Sequence, residues 1–569
     1  MADGTFEDVR AAGEDRASML ARRAEASRRH AAHRVWIERL EPAATLVHAA
    51  AAEGPLTGLT FAIKDNIDLA GVPTTAACPA YAYTPEASAT VVQRLLDAGA
   101  LPLGKTNLDQ FATGLVGTRS PYGECRNAID PERVSGGSSA GSAVAVALGE
   151  ADFALGTDTA GSGRIPAAFN GLVGMKPSRG LLPNTGVVPA CRSLDCVTTF
   201  TRSVADAASL LAVMAGADGI DPACRTLAPR FPRNLPRIGV PDTRSLGFAD
   251  PAWGPDEFDG ARARLEALGY EVVAIDPLPF IRAGDLLYGG PWVAERAVAV
   301  GAFIAAHRDD VHPVTAAIID GAEAIDAVST FRGLDALRAL ALEAARVFED
   351  VDAVMMPTAD RFPTIQAVLD DPIGVNTALG RYTNFMNLLD YAAVAVPAGV
   401  TAAGLPFGVT LFAPAGSDLA LLELAATFNG EAWRAERGYP LVVAGAHMDG
   451  LPLNWQLRDR GGRLVRPCRT ATGYRLYALP GGPPERPALI ADPSSDTAIE
   501  VELWDLPEAA IGSLLAGIPA PLALGRVRLD DGTTAVGFVG GAGSEQDALD
   551  ITAHGGWRGW MASRAAAEA

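Results

Sequence analysis

Residues 134–179, VSGGSSAGSAVAVALGEADFALGTDTAGSGRIPAAFNGLVGMKPSR, constrain this chain more than any other stretch. Small residues and hydroxyls crowd together there more densely than a hydrophobic core requires. Two serines stand in glycine-rich turns, Ser138 in GGSSAGS and Ser162 in TAGSGRIP. A serine hydrolase ordinarily deprotonates its nucleophile with histidine. The seven histidines are His30, His33, His48, His307, His312, His447 and His554, all outside the stretch. Lysine use offers another base. Of 47 Lys and Arg residues only Lys64, Lys105 and Lys176 are lysine, and all lie in the first third. Arginine cannot be deprotonated, whereas a desolvated lysine can lose its proton and act as a base. Each of the three is open to a chemical or a structural reading, and Ser with Lys is the leading catalytic pair.

A competing motif overlaps the first serine. Residues 137–141, GSSAG, match G-x-S-x-G, the nucleophile elbow, with Ser139 as nucleophile. That motif needs a hydrophobic strand directly before it. The preceding GECRNAIDPERVSG is polar and turn-like, so the context fails.

At 569 residues the chain exceeds one ordinary core, and two or more domains are expected. A net charge of −20 argues against a nucleic-acid or anionic-membrane surface. The charged opening residues lack the apolar core of a signal peptide, and no apolar run reaches membrane-spanning length. Six scattered cysteines without CxxC spacing make a reduced, cytoplasmic, metal-free protein the expectation.

Taken in order, residues 1 to about 50 read as helical, with Trp36, Ile37 and Leu40 at helical spacing. The segment 56–75 reads as a short strand ending at Lys64, then a polar loop. A helix over 90–100 leads into LPLGKTNLDQF, a strand-turn-helix in which Thr106 or Asn107 is placed to cap. A Pro-rich break at 225–242 precedes strands PRIGVPD and YEVVAIDP around a helix at 256–268. The chain is then helical over 281–345. VDAVMMPT, AAVAVPAGV and PFGVTLFAP are continuous apolar runs, as in strands buried on both faces. Alternation with helices predicts one large α/β unit. Alternating β patterns and four tryptophans mark a separate α+β domain at 445–569, with 435–446 as linker.

Lys64 in IKDNID, GGSSAGS at 136–142 and GTDTAGSGRIPA at 156–167 resemble the amidase signature family. Ser138 follows Lys64 by 74 residues and precedes Ser162 by 24, the spacing of that family's Ser-cisSer-Lys triad. The resemblance implies a large mixed central sheet flanked by helices over residues 1–435. It makes Ser162 the acyl-enzyme nucleophile, Ser138 the bridging serine after a cis peptide, and Lys64 the base. The backbone N–H groups of Thr159, Ala160, Gly161 and Ser162 would form the oxyanion hole. Free lysine titrates near 10.4, so burial must lower that value for Lys64 to serve. Ser139, Ser142, Asp158, Arg164, Lys105 and Lys176 are read as support.

LLYGGPWVAER at 286–296 resembles the allophanate hydrolase branch, in which Tyr288 and Arg296 would hold the substrate. Eight residues apart, they would fall about two turns apart on one helix face. A guanidinium suits the carboxylate of allophanate. FATGLVG at 111–117 would supply substrate-facing backbone, with Gly114 at its centre. HMDGLPLNWQL, YRLYALPG, IEVELWDLP and DITAHGGWRGW resemble that branch's C-terminal domain, which is similar to the γ-glutamyl cyclotransferase fold. There His447 would assist decarboxylation of N-carboxycarbamate. The resemblance implies allophanate hydrolysis to ammonia and CO2 in urea breakdown, with no cofactor or metal, urea carboxylase as functional partner, and a homodimer. A broad-specificity amidase or glutamyl-tRNA amidotransferase A-like subunit is the alternative enzyme; an assembly scaffold is the non-enzyme alternative.

Overall fold

The computed structural model describes residues 4–48, 53–227, 230, 237–250, 252–435 and 438–568. Contacts divide the chain into two units, Met1–Arg434 and Ala435–Ala569, each with a hydrophobic core of its own.

The first unit carries an eleven-stranded mixed sheet. Its strands are β1 (Trp36–Arg39), β2 (Thr60–Lys64), β3 (Leu101–Thr106), β4 (Phe153–Asp158), β5 (Val173–Lys176), β6 (Cys196–Thr201), β7 (Arg237–Pro241), β8 (Glu271–Ile275), β9 (Ala353–Pro357), β10 (Tyr391–Val400) and β11 (Pro406–Pro414). They lie in the order β1-β3-β2-β4-β6-β5-β10-β11-β9-β7-β8. β2 runs parallel to β3 and β4, and β7 parallel to β8 and β9; the other pairs are antiparallel. Every residue of β2, β3, β4, β6 and β9 is buried, as in strands covered on both faces. Flanking helices pack on the sheet, among them Ala140–Ala147 against β2, β4 and β6.

Two local expectations change. Trp36 and Ile37 lie on β1, not on a helix, because the segment pairs antiparallel with the open edge of β3. Left-handed Arg34 (φ 54°) separates β1 from the helical N-terminus. Tertiary pairing outweighs a helical spacing of only three apolar residues. After β3 comes a single 3-10 turn, Gln110–Ala112, instead of a helix. Asn107 does not cap it: its side-chain amide donates to the Arg34 and Gly123 carbonyls at 2.9 Å each. Eight of the eighteen residues of the Pro-rich break, 228–229 and 231–236, lie outside the described residues.

The second unit contains β12 (Gly438–Val443), β13 (Arg463–Arg469), β14 (Tyr474–Ala478), β15 (Pro487–Ala491), β16 (Glu500–Pro507), β17 (Leu522–Arg528), β18 (Thr534–Gly540) and β19 (Leu549–Asp550). Five form a sheet in the order β13-β16-β12-β18-β17, and three form β15-β14-β19. The segment 435–446, expected as linker, therefore holds the central strand of a sheet. Its last three residues, Leu441 to Val443, are fully buried and anchor it. Trp504, Trp557 and Trp560 are core residues, while Trp455 is exposed. Among the described residues no helix is long and apolar enough to cross a membrane.

Candidate active site

β3, β2 and β4 are adjacent and parallel, so their carboxyl ends share one edge of the sheet. Open α/β sheets place their sites at such an edge. Lys64 ends β2, Asp158 ends β4, and the loop 107–117 leaves β3. β6 runs antiparallel to β4 with Cys196 opposite Asp158, which brings Asp195 to the same edge.

Lys64 is fully buried, and its Nζ donates to Ser138 Oγ at 2.8 Å and Thr157 Oγ1 at 2.7 Å. Burial pushes its pKa down to about 7, against the pull of Asp109, Asp195 and Asp158. Such an amine is substantially neutral near pH 7, which a base requires.

The peptide between Gly137 and Ser138 is cis, and the Ser138 carbonyl accepts the Asp109 N–H at 3.1 Å. Position 137 admits no side chain, since a Cβ there would stand 2.0 Å from Asp109 Oδ2. The rival elbow serine, Ser139, follows no strand and donates to the Thr157 carbonyl at 3.1 Å. Ser142 likewise donates to Leu155 O at 2.8 Å.

Ser162 is buried in the loop after β4. Asp158 organises that loop. Its carboxylate accepts the N–H groups of Gly161 (2.7 Å) and Gly163 (3.0 Å) and pairs with Arg164 at 2.8 Å and 2.9 Å. The Gly161 N–H, expected in the oxyanion hole, is thus committed to Asp158. Among the described residues the N–H groups of Thr159, Ala160 and Ser162 meet no protein acceptor. Three donors remain for an incoming oxyanion. Thr159 Oγ1 donates to Asp195 at 2.5 Å, and burial raises that carboxyl to about 6.

Lys105 and Lys176 sit in buried scaffold. The first pairs with Asp65 at 3.0 Å, and the second donates to Pro177 O at 2.9 Å.

Tyr288 and Arg296 do not share a helix. Tyr288 lies in the last turn of Leu278–Gly289, Arg296 lies on Trp292–Ala306, and Gly290-Pro291 breaks the helix between them. They meet nonetheless, the guanidinium carbon 5.6 Å from the tyrosine ring centre. Arg296 is 1% exposed and donates to Thr113 Oγ1 at 3.3 Å. Among the described residues no carboxylate lies at salt-bridge distance from it and its Nε bonds nothing, although its charge acts from farther off on the buried Asp195 carboxyl. Next to Thr113, the Gly114 N–H also meets no acceptor among the described residues.

His447 belongs to the second unit. Its Nε2 lies 3.1 Å from Gln456 Oε1, its ring stacks on Phe538 at 4.7 Å, and burial lowers its pKa.

Residues 17–422 match the amidase family. The chain belongs to that family. It is a hydrolase of amide C–N bonds, and residues 439–562 match the allophanate hydrolase C-terminal domain. The structure of Kluyveromyces lactis allophanate hydrolase is similar, at 34% identity and a TM-score of 0.72, over 99% of both chains. Urea amidolyase from Saccharomyces cerevisiae is 40% identical over 546 residues, 89% of this chain. That match takes in 30% of the yeast protein, so this amidase spans only about a third of the length of the urea amidolyases it resembles. The A-subunit of glutamyl-tRNA(Gln) amidotransferase from Halobacterium salinarum is 36% identical over 417 residues, 66% of this chain and 96% of its own.

Sequence reasoning missed three residues of the amidase site. Thr157 is the second acceptor of the Lys64 amine; its place beside Asp158 at a strand end was the available signal. Asp109 accepts the N–H groups of Val116, Gly117 and Arg119 at 3.0–3.1 Å, as an Asp before a glycine-rich loop can do. Thr113 meets Arg296 across 183 positions, and no local pattern marks such a pairing.

Proposed function

We propose that this amidase hydrolyses allophanate by a Ser-Ser-Lys acyl-enzyme mechanism. The observation that carries the substrate is Arg296. No carboxylate of the described residues stands at salt-bridge distance from this buried guanidinium, which meets Asp195 only through longer-range attraction, and a small carboxylated ligand would fill the place of a direct partner. Allophanate presents a carboxylate at one end and a primary amide carbonyl at the other.

In this reading neutral Lys64 takes the proton of Ser138, and Ser138 takes that of Ser162. Ser162 Oγ attacks the amide carbonyl, and the oxyanion rests on the N–H groups of Thr159, Ala160 and Ser162. The proton returns through Ser138 to the nitrogen, and ammonia leaves. Water, deprotonated by the same relay, then cleaves the ester and releases N-carboxycarbamate. Loss of CO2 from that product yields carbamate, which ends as ammonia and CO2; His447 is assigned to this second step. A urea carboxylase would supply the substrate, as the urea amidolyase relatives support.

The test is ammonia release from allophanate, measured beside acetamide and glutamine. Turnover of allophanate alone supports the proposal. Turnover of all three marks a broad amidase, glutamine alone an amidotransferase-type enzyme, and none an assembly role.

A further inference from the structure

Gln110 is fully buried beside the substrate loop, and its side-chain amide ties three separate backbones together. Its Nε2 donates to the Ala77 and Asp310 carbonyls, each at 3.1 Å. Its Oε1 accepts the His312 N–H at 2.7 Å. Ala77 lies in the loop after β2, whereas Asp310 and His312 follow the helix Trp292–Ala306 that carries Arg296. Phe111 strengthens the same junction. Held in a left-handed conformation (φ 52°), its ring lies 5.8 Å from Phe303 on the Arg296 helix and 5.3 Å from Tyr81. Three residues on from Gln110, the Thr113 hydroxyl meets Arg296, and the Thr113 carbonyl is held by Arg119 at 2.9 Å.

We infer that Gln110 is a positioning residue that registers the Arg296 helix against the 111–117 loop, so that guanidinium and loop backbone grip one carboxylated substrate together. The inference rests on the allophanate reading for its substrate, not for its geometry. An amide suits this place because the two carbonyls require donors and the N–H requires an acceptor. Gln supplies both from one planar group. Glutamate would face two carbonyls with a carboxylate, and methionine would fill the volume without any hydrogen bond.

The experiment compares Gln110→Met in the full chain on allophanate and on biuret, in which a neutral amide replaces the carboxylate. Expected is a loss of about tenfold in kcat/KM on allophanate, carried by KM, and a several-fold smaller loss on biuret. In an Arg296→Lys background Gln110→Met should add little, since the element it positions is already impaired. Equal losses on both substrates, or full additivity with Arg296→Lys, would overturn the inference and leave Gln110 as scaffold. Should Gln110→Met fail to fold, Gln110→Glu, which keeps the acceptor for His312, takes its place in the same comparison. If the wild type does not hydrolyse allophanate, the reaction reading fails by itself. The cycle is then run on malonate binding, where weaker binding by the Gln110 variant supports the inference and unchanged binding refutes it.

Discussion

Lys64 Nζ stands 2.8 Å from Ser138 Oγ in a site that excludes water from the amine. The contact sets the direction of proton flow. Protonated, the lysine can only donate to Ser138; neutral, it can accept. Activity must therefore follow deprotonation. With the Lys64 pKa lowered to about 7, kcat/KM should fall as pH drops below about 7 and level off above it. A pH–rate profile flat from pH 6 to 9 would remove Lys64 as the base.

Lys64→Arg should lose nearly as much activity as Ser162→Ala, roughly 10⁴-fold or more. The guanidinium keeps the charge and donors but cannot accept the serine proton. Single-turnover ammonia release measures both. Retention of a tenth of wild-type kcat by Lys64→Arg would assign the base elsewhere.

The same burial predicts a stability signature. A lysine titrating at about 7 when folded and about 10.4 when unfolded binds fewer protons in the native state between those values. Its contribution is fully unfavourable below pH 7, fades as pH rises, and vanishes above the unfolded value. Lys64→Met should accordingly gain most stability over wild type at pH 6, with the gap closing toward pH 10. Parallel melting curves at pH 6, 8 and 9.5 test this, and a gap independent of pH would contradict the depressed pKa.

Much of this site is legible in the sequence because it is local. GGSSAGS and GTDTAGSG each build a turn from consecutive residues, and the Lys64 strand is a short apolar run ending in a charge. What the sequence hides is set by pairing across the chain. β1 is a strand because β3 offers an edge, and β12 is central because β16 and β18 flank it. Tyr288 and Arg296 do belong together, but not for the geometric reason their spacing suggests. The spacing points to one helix, whereas a Gly-Pro break and a cation–π contact bring them together. The Gly161 N–H reads as an oxyanion donor because nothing in the sequence shows that the Asp158 side chain curls back to take it.

Arg296→Lys should weaken allophanate hydrolysis by about 1.5–3 kcal/mol in kcat/KM, the worth of a hydrogen bond to a charged group. A point charge replaces a planar fork, so geometry is lost more than charge. Biuret, which offers no carboxylate, should lose less. Steady-state kinetics on both substrates decide the matter, and equal losses would mean that Arg296 supports the fold instead of reading the carboxylate.

His447 separates a two-step enzyme from an amidase with an appended domain. Burial favours the neutral ring, and its Nε2 meets Gln456 Oε1. A neutral imidazole can pass a proton from one nitrogen to the other, and decarboxylation of N-carboxycarbamate requires one on the departing carbamate nitrogen. Because that product also loses CO2 unaided, total ammonia is a poor readout. The lag between the first ammonia and CO2, followed at mildly alkaline pH where spontaneous loss slows, is a better one. His447→Ala should lengthen the lag while leaving the first ammonia unchanged. Gln456→Leu, which spares the ring and its stacking on Phe538, should lengthen it less. A lowered melting temperature for His447→Ala with no change in lag would show a ring that only packs, and the second step would then need no residue of this domain.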